Sequence, residues 1–266
     1  MIKLNSTYSP SEDLVPYVFN YNFYTVEGDG QEAFMVPEGA IELVIQCDTE
    51  IWQYSWDTTE KIKRYEAFIG GLHQKSFRLK ANESGRLISI RFKPGAFSYF
   101  TPFPVNELVN RMVNLEDIWG KEDSQNFIDQ LLHAENHQSQ MACLEEGLRA
   151  HYHQHAYAYM GLAAIDLSQQ PFLSVAELSA KYNLSKSRFR ELFGKVVGCS
   201  PKQFFQTRRI NAIIGEYESD ISLTQLAMKF GYYDQAHFIN DFKSVTGYRP
   251  SSFSKSQLMH EPAYLV

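Results

Sequence analysis

The apolar positions of this chain change their period part way along. Up to residue 92 they alternate with polar ones or fall in short runs broken by Gly, Pro, Asn and Asp, as β-strands do. Beyond residue 124 they recur every three or four positions, as helices require. A tyrosine-rich run at 16–24 predicts a strand that follows a short helical turn. Residues 33–36 and 41–47 predict strands on either side of Pro37-Glu38-Gly39, a turn-forming tripeptide. Further strands are expected at 51–56, 65–69, 76–79 and 87–92. Short strands in close succession argue for a small barrel or sandwich, since a parallel sheet needs a long crossover between neighbours. The series ends at Arg91-Phe92-Lys93-Pro94-Gly95-Ala96, and a helix-like aromatic segment, Phe97-Ser98-Tyr99-Phe100, comes next.

In residues 124–155, Phe127, Ile128, Leu131 and Leu132 fall on one helical face, and Cys143, Leu144, Gly147 and Leu148 do so approximately. Helices here either join two copies of the chain or cover the strands. His151, His153 and His155 alternate, and helical spacing brings only the first and last together. The run therefore reads as a solvated linker, not a metal site. Another helix is expected at 157–167, with Leu162 and Ile165 turned inward.

The pattern then occurs twice. Ser174, Glu177, Leu178, Phe189, Phe193, Gly198, Pro201 and Phe204 are matched by Ser222, Gln225, Leu226, Phe238, Phe242, Gly247, Pro250 and Phe253. Each copy predicts two helices and a turn. Ser174 with Glu177, and Ser222 with Gln225, have the spacing of a capping box at a helix start. Short helices at 175–182 and 223–230 lead into turns at 183–185 and 231–233, where Asn183 and Gly231 suit a left-handed residue. Ser185 and Asp234 can cap second helices at 186–197 and 235–246. Phe189/Phe193 and Phe238/Phe242 then lie at i, i+4 on one face, which packs inward and leaves the other face for a partner. Ser200-Pro201-Lys202-Gln203 opens a connecting helix at 201–217.

Gly231-Tyr232-Tyr233-Asp234-Gln235-Ala236-His237-Phe238, Phe242-Lys243 and Gly247-Tyr248-Arg249-Pro250 together resemble the signature of AraC/XylS-type transcription regulators, over residues 156–254. The Arg-Phe-x-Pro-Gly-Ala element, with Pro104 and Glu107-Leu108 after it, more weakly resembles the sensor half of one branch of that family. The resemblance implies an α+β chain: an N-terminal small β-barrel or sandwich, cupin-like, with helices, then an all-α domain of two helix-turn-helix units on a linker helix. It implies a sensor region at 1–123, a helical dimerisation or linker region at 124–155, and a DNA-binding domain at 156–258. In that family each second helix enters a major groove, the two grooves lying about 34 Å apart along the duplex. Ser187, Arg190, Glu191, Gln235, Ala236, Ile239 and Asn240 match the base-facing positions. Arg190 can fork onto guanine, Glu191 can accept from cytosine or orient a neighbouring Arg, Gln235 and Asn240 suit adenine, and Ala236 and Ile239 suit a thymine methyl. Lys186, Arg188, Lys195, Arg208, Arg209, His237 and Lys243 are phosphate candidates.

Net charge is −6, which by itself opposes nucleic acid, yet residues 156–254 carry more Lys and Arg than Asp and Glu, so the acidic excess lies elsewhere. Three scattered cysteines, Cys47, Cys143 and Cys199, argue for a reducing compartment and against a disulfide frame or zinc site. No signal-peptide core and no 18-residue apolar run is present, so the expected location is cytoplasmic. Double-stranded DNA is the expected partner. A small-molecule effector, RNA polymerase and a second copy of the chain are further partners the family implies; no membrane, metal or cofactor is expected. Two other readings compete. A constitutive DNA-binding protein would use its N-terminal half only to dimerise or recruit polymerase. An enzyme would need clustered cysteines or histidines, but His73 is the only histidine before His133. No ligand site is assigned; Glu42, Trp52, Trp56, His73, Arg91 and Tyr99 are the polar or aromatic residues on or beside predicted strands.

Overall fold

The computed structural model describes residues 2–28, 32–48, 51–54, 59–62, 66–81, 83–157, 159–169, 174–217 and 222–254. Trp56 and Tyr65 of the predicted strands and positions 255–258 of the predicted DNA-binding domain lie outside them. The strands are β1 (Ile2–Tyr8), β2 (Val18–Val26), β3 (Glu32–Met35), β4 (Glu42–Gln46), β5 (Ile51–Tyr54), β6 (Thr59–Ile62), β7 (Ala67–Gly70), β8 (Phe77–Ala81), β9 (Gly85–Phe92) and β10 (Met112–Asn114). Two 3-10 turns, Ala96–Tyr99 and Val105–Leu108, separate the last two. One antiparallel sheet runs β1-β2-β9-β4-β7-β10 and a second runs β3-β8-β5-β6. A bulge between Leu4 and Ser6 breaks the register of edge strand β1 against β2.

The expected cupin-like barrel is not formed: both sheets are open. Closure requires edge strands to pair with each other. Here β1 and β10 end one sheet, and β3 and β6 end the other, without joining. The apolar face of the large sheet that looks away from the second sheet is covered by helices. Along β2, β9, β4 and β7 alternate residues (Tyr21 and Phe23, Ile88 and Ile90, Leu43 and Ile45, Ala67 and Ile69) point to that face and belong to the main core.

The helices are α1 (Leu115–Trp119), α2 (Lys121–His133), α3 (His137–Ala150), α4 (Met160–Gln169), α5 (Val175–Lys181), α6 (Lys186–Val197), α7 (Pro201–Glu216), α8 (Leu223–Lys229) and α9 (Gln235–Thr246). The pair α2–α3 buries Phe127, Ile128, Leu131, Leu144 and Leu148 in the core against the sheet. It is also tied there by polar contacts. Glu145 accepts from the Ser11 amide at 2.8 Å and pairs with Arg149 at 3.0 Å, and Arg149 pairs with Asp13 at 2.8 Å. His151 caps the end of α3 and stacks on Trp119, while His153 reaches the Thr101 carbonyl at 2.7 Å, so the three histidines share no helix.

The same core continues into the C-terminal half without a break. Leu178, Phe189, Leu192, Phe193, Val196, Val197 and Phe204 are buried in it together with the sheet residues. The second repeat has a separate core, and Phe34 and Val36 from β3 and its exit are part of it. Polar contacts reinforce this second junction. The Ser76 amide and hydroxyl donate to the Val245 and Thr246 carbonyls at 3.2 and 2.7 Å, Arg78 donates to the Tyr248 hydroxyl at 3.0 Å, and Asn211 donates to the Pro37 carbonyl at 2.7 Å. Of the two α4 residues expected inward, Leu162 is instead 57% exposed. The inward positions there are Met160, Ala163 and Ala164, because Gly161 must press against Gly95.

That contact limits what can stand at Gly95. Its φ is +76°, and a Cβ there would lie 2.7 Å from the Gly161 Cα, backbone against backbone. Gly95→Ala should therefore cost about 1–3 kcal/mol, from left-handed strain and overpacking together. Because one core spans the strands and the first repeat, a lowered urea midpoint should appear equally in β-sheet and helix signals. Loss in only one of them would contradict the shared core.

Candidate nucleic-acid interface

The two C-terminal repeats build the same object twice. In the first, Ser174 and Glu177 close a reciprocal capping box at α5, and Ser185 accepts from the Arg188 amide at 3.2 Å to start α6. In the second, Ser222 and Gln225 do so at α8, and Asp234 accepts from the Ala236 amide at 2.9 Å to start α9. The turns pass through Asn183 at φ +54° and Gly231 at φ +80°, and α6 and α9 both end on a left-handed glycine, Gly198 and Gly247. Inside, Phe189–Phe193 and Phe238–Phe242 lie with ring centroids 5.8 and 5.6 Å apart. Phe193 then meets Phe204, and Phe242 meets Phe253, at 5.9 and 5.2 Å. All six rings are buried. Burying one face of each second helix this firmly leaves the opposite face in solvent.

On α6, Lys186, Ser187, Arg190, Glu191 and Lys195 are exposed. Glu191 is held between Arg188 at 2.8 Å and Lys195 at 3.0 Å. These two cations, Lys195 foremost, keep its carboxyl below the usual range. Arg188 is gripped on its other side by Tyr157, whose hydroxyl accepts at 3.1 Å and whose ring lies 5.2 Å from the guanidinium. Tyr157 stands 31 positions earlier in the chain, and no local pattern points to it. On α9, Gln235, Ala236, His237, Asn240 and Lys243 are exposed, and Ile239 is half-buried against the second core. His237 sits 3.3 Å from Asp241, which also accepts from Tyr232 at 2.9 Å and from Gln206 at 2.8 Å. Tyr233, in the turn before α9, is fully exposed beside the helix start.

The connecting helix separates the two remaining arginines. Arg209 lies against the rings of Phe205 and Tyr232, at 4.2 and 4.7 Å. Arg208 faces the strands, where burial and the nearby Arg91 lower its pKa to about 10. It is therefore turned toward the N-terminal half and away from the α6 and α9 faces. Of the residues singled out on the strands, Glu42 and His73 line a cavity between the two sheets, and buried Arg91 pairs with Glu38 and Glu42 behind it. Tyr99 lies elsewhere, stacked on Tyr152. The side chain of Trp52 is outside the described residues. Among the described residues no group of three His, Cys, Asp or Glu side chains is arranged to hold a metal, and no helix is long and apolar enough to cross a membrane.

Two capped helix-turn-helix units on one connecting helix, each with a solvated second helix, define a double helix-turn-helix DNA-binding domain. A helix-turn-helix domain model matches residues 178–256, and a domain of unknown function, DUF6597, matches residues 6–114. The HTH-type transcriptional regulator ExsA of Pseudomonas aeruginosa is 30% identical over 80 residues, 29% of this chain and 28% of that protein. The HTH-type transcriptional regulator YidL of Escherichia coli K12, itself uncharacterised, is 28% identical over 100 residues, 37% of this chain and 34% of that protein. The chain thus matches about a third of the length of these relatives. Among solved structures, ToxT from Vibrio cholerae aligns with a TM-score of 0.48 at 11% identity, over 91% of this chain and 100% of that one. The C-terminal region of the chain is a helix-turn-helix domain of the AraC/XylS type.

Two measurements follow from this geometry. Glu191→Gln removes the carboxylate that holds Arg188 and Lys195, so both become available to phosphates. The salt dependence of DNA binding should steepen by about one unit of log–log slope for each phosphate newly engaged. An unchanged slope would mean that both cations already contact DNA while paired. His73, whose pKa burial lowers to about 4, is neutral in the fold but takes a proton near pH 6.5 when unfolded. The unfolded chain binds the extra proton between those values, so stability should fall as pH drops from about 6.5 to 4. Urea midpoints against pH should flatten across that window in His73→Asn.

Proposed function

We propose that this chain is a sequence-specific regulator of transcription that reads two successive major grooves of double-stranded DNA with α6 and α9. The observation that supports it best is the repetition of one internal arrangement, buried phenylalanines below and an exposed polar face above, in two units joined by a single helix. A lone exposed helix face is common; two with the same caps, turns and ring stacking in one domain are what consecutive grooves require.

On this reading Ser187, Arg190, Gln235, Ala236 and Asn240 meet base edges, with Ile239 toward a thymine methyl. Lys186, His237, Lys243 and Arg209 meet phosphates, Tyr233 joins them from the turn, and Lys195 stays held by Glu191. Glu191 acts chiefly by orienting Arg188, the second of the two roles its position allows. Arg208 works inside the molecule, at the junction with the strands. The N-terminal sheets serve as a regulatory region, responsive to a small molecule, with RNA polymerase and a second copy of the chain as further partners. The chain would act in the cytoplasm.

Selection from random-sequence duplex DNA with the purified chain tests the reading. The expected product is a site with two half-elements about one helical turn apart. Arg190→Ala should weaken binding to the selected site by about 1–3 kcal/mol and relax preference at one base pair. Equal weakening on every sequence would assign Arg190 to phosphate instead, and no enrichment of any sequence would overturn the proposal.

A further inference from the structure

The face of the large sheet turned away from the helices is unlike the other. Across it run Tyr24 of β2, Leu87, Ser89 and Arg91 of β9, Glu42 and Val44 of β4, and Phe68 of β7, in register. Between it and the second sheet lies a cavity of about 140 Å³. Cavities of this size, about 150 Å³, admit a single benzene-sized molecule. Most of the wall is apolar, contributed by Met35, Val44, Phe68, Phe77, Leu79 and Leu87.

The charged part of the wall is made of two carboxylates. Glu38 and Glu42 both line it, and they share Arg91, through an ion pair to Glu38 and at 3.9 Å to Glu42. Arg91 and Arg208 do not themselves line the cavity. Their charge reaches it from behind the carboxylates. His73 lines it as a neutral ring, and the Tyr24 hydroxyl is held protonated by burial and by the charge of Glu42. Ser89, 1% exposed, also lines the space, with its hydroxyl near enough to Tyr24 to ease the ionisation of that ring. An anion placed here would meet two carboxylates first; a cation or a hydrogen-bond donor would meet its complement.

We propose that this cavity is a binding site for a small primary amine with an apolar body about the size of one aromatic ring. The ring fills the space among Val44, Phe68 and Leu79, and the ammonium donates to Glu42 and Glu38. This rests on the reading of the N-terminal sheets as a regulatory region and adds to it the site and its ligand chemistry. The position also explains how occupancy reaches DNA. Glu38 stands between Pro37, whose carbonyl accepts from Asn211 of α7, and Gly39, which packs on Phe204. A ligand that draws on Glu38 therefore pulls on the turn that touches the connecting helix.

Three probes that share one phenyl ring separate the possibilities on the full chain at pH 7: benzylamine, toluene and benzoate, followed by calorimetry and by the melting temperature. Benzylamine should bind and raise the melting temperature, toluene more weakly, and benzoate not at all. Glu42→Gln should weaken benzylamine at least tenfold while leaving toluene unchanged. Leu79→Phe, which fills the space, should abolish binding of all probes and keeps the test open if Glu42→Gln does not fold. Benzoate binding as tightly as benzylamine, no binding by any probe, or benzylamine affinity indifferent to Glu42→Gln and Leu79→Phe would each overturn the proposal. Binding to the selected DNA is measured on the same preparation without ligand. If DNA binding fails while benzylamine binds, the regulator reading falls and the site stands; the reverse outcome removes the site alone.

Discussion

Everything in this fold depends on how one apolar sheet face is taken out of water. Alternation along β2, β9, β4 and β7 produces a continuous hydrophobic surface on one side of the six-stranded sheet, and closure into a barrel does not hide it. Two other layers do. The α2–α3 pair covers part of it, and the first helix-turn-helix unit covers the rest with Phe189, Phe193 and their neighbours. The hydrophobic effect, non-directional as it is, thus fixes the first reading unit to the strands. No flexible tether is needed to keep the two halves together.

The second unit is attached in a different way. Among the described residues, its own smaller core takes in Phe34 and Val36 from the strands, and directional hydrogen bonds through Ser76, Arg78 and Pro37 add to the attachment. Such bonds contribute little net stability each when made, and the donors and acceptors accept water readily if the surface parts. The two reading helices are therefore held to the N-terminal half with unequal firmness: one by a continuous core, the other by a polar junction that includes the turn at Pro37-Glu38-Gly39. Any regulation routed through that turn acts on the connecting helix and on the less firmly held unit.

How much of this was legible in the sequence follows the range of the interactions involved. The helix-turn-helix units were legible almost to the residue, with α6 and α9 observed over the expected spans, because capping boxes, left-handed turns and i, i+4 phenylalanines are all encoded within one or two helical turns. Most strands were legible from alternation, but β1, β6 and β10 were not, being polar, short or both. Sheet closure was misjudged because nothing local says whether a hydrophobic face will meet its own sheet or a helix. Single residues meet the same limit. Arg208 has the sequence setting of a surface cation and is turned toward Arg91; Leu162 has that of a core leucine and is displaced by two glycines in contact. The grip of Tyr157 on Arg188 is likewise a product of tertiary packing. None of these carries a signature shorter than the fold itself.

The irregularity in β1 has an effect on the molecule's behaviour in a crowd. An outermost strand offers unpaired amides and carbonyls to any neighbouring chain, and a straight one would template sheet growth from copy to copy. The extra residue between Leu4 and Ser6 throws that ladder out of step, and the opposite boundary, β10, is only three residues long. Neither margin can extend the sheet in register, so the fold carries its own guard against fibrous self-association at the very sheet whose other face anchors the DNA-reading half.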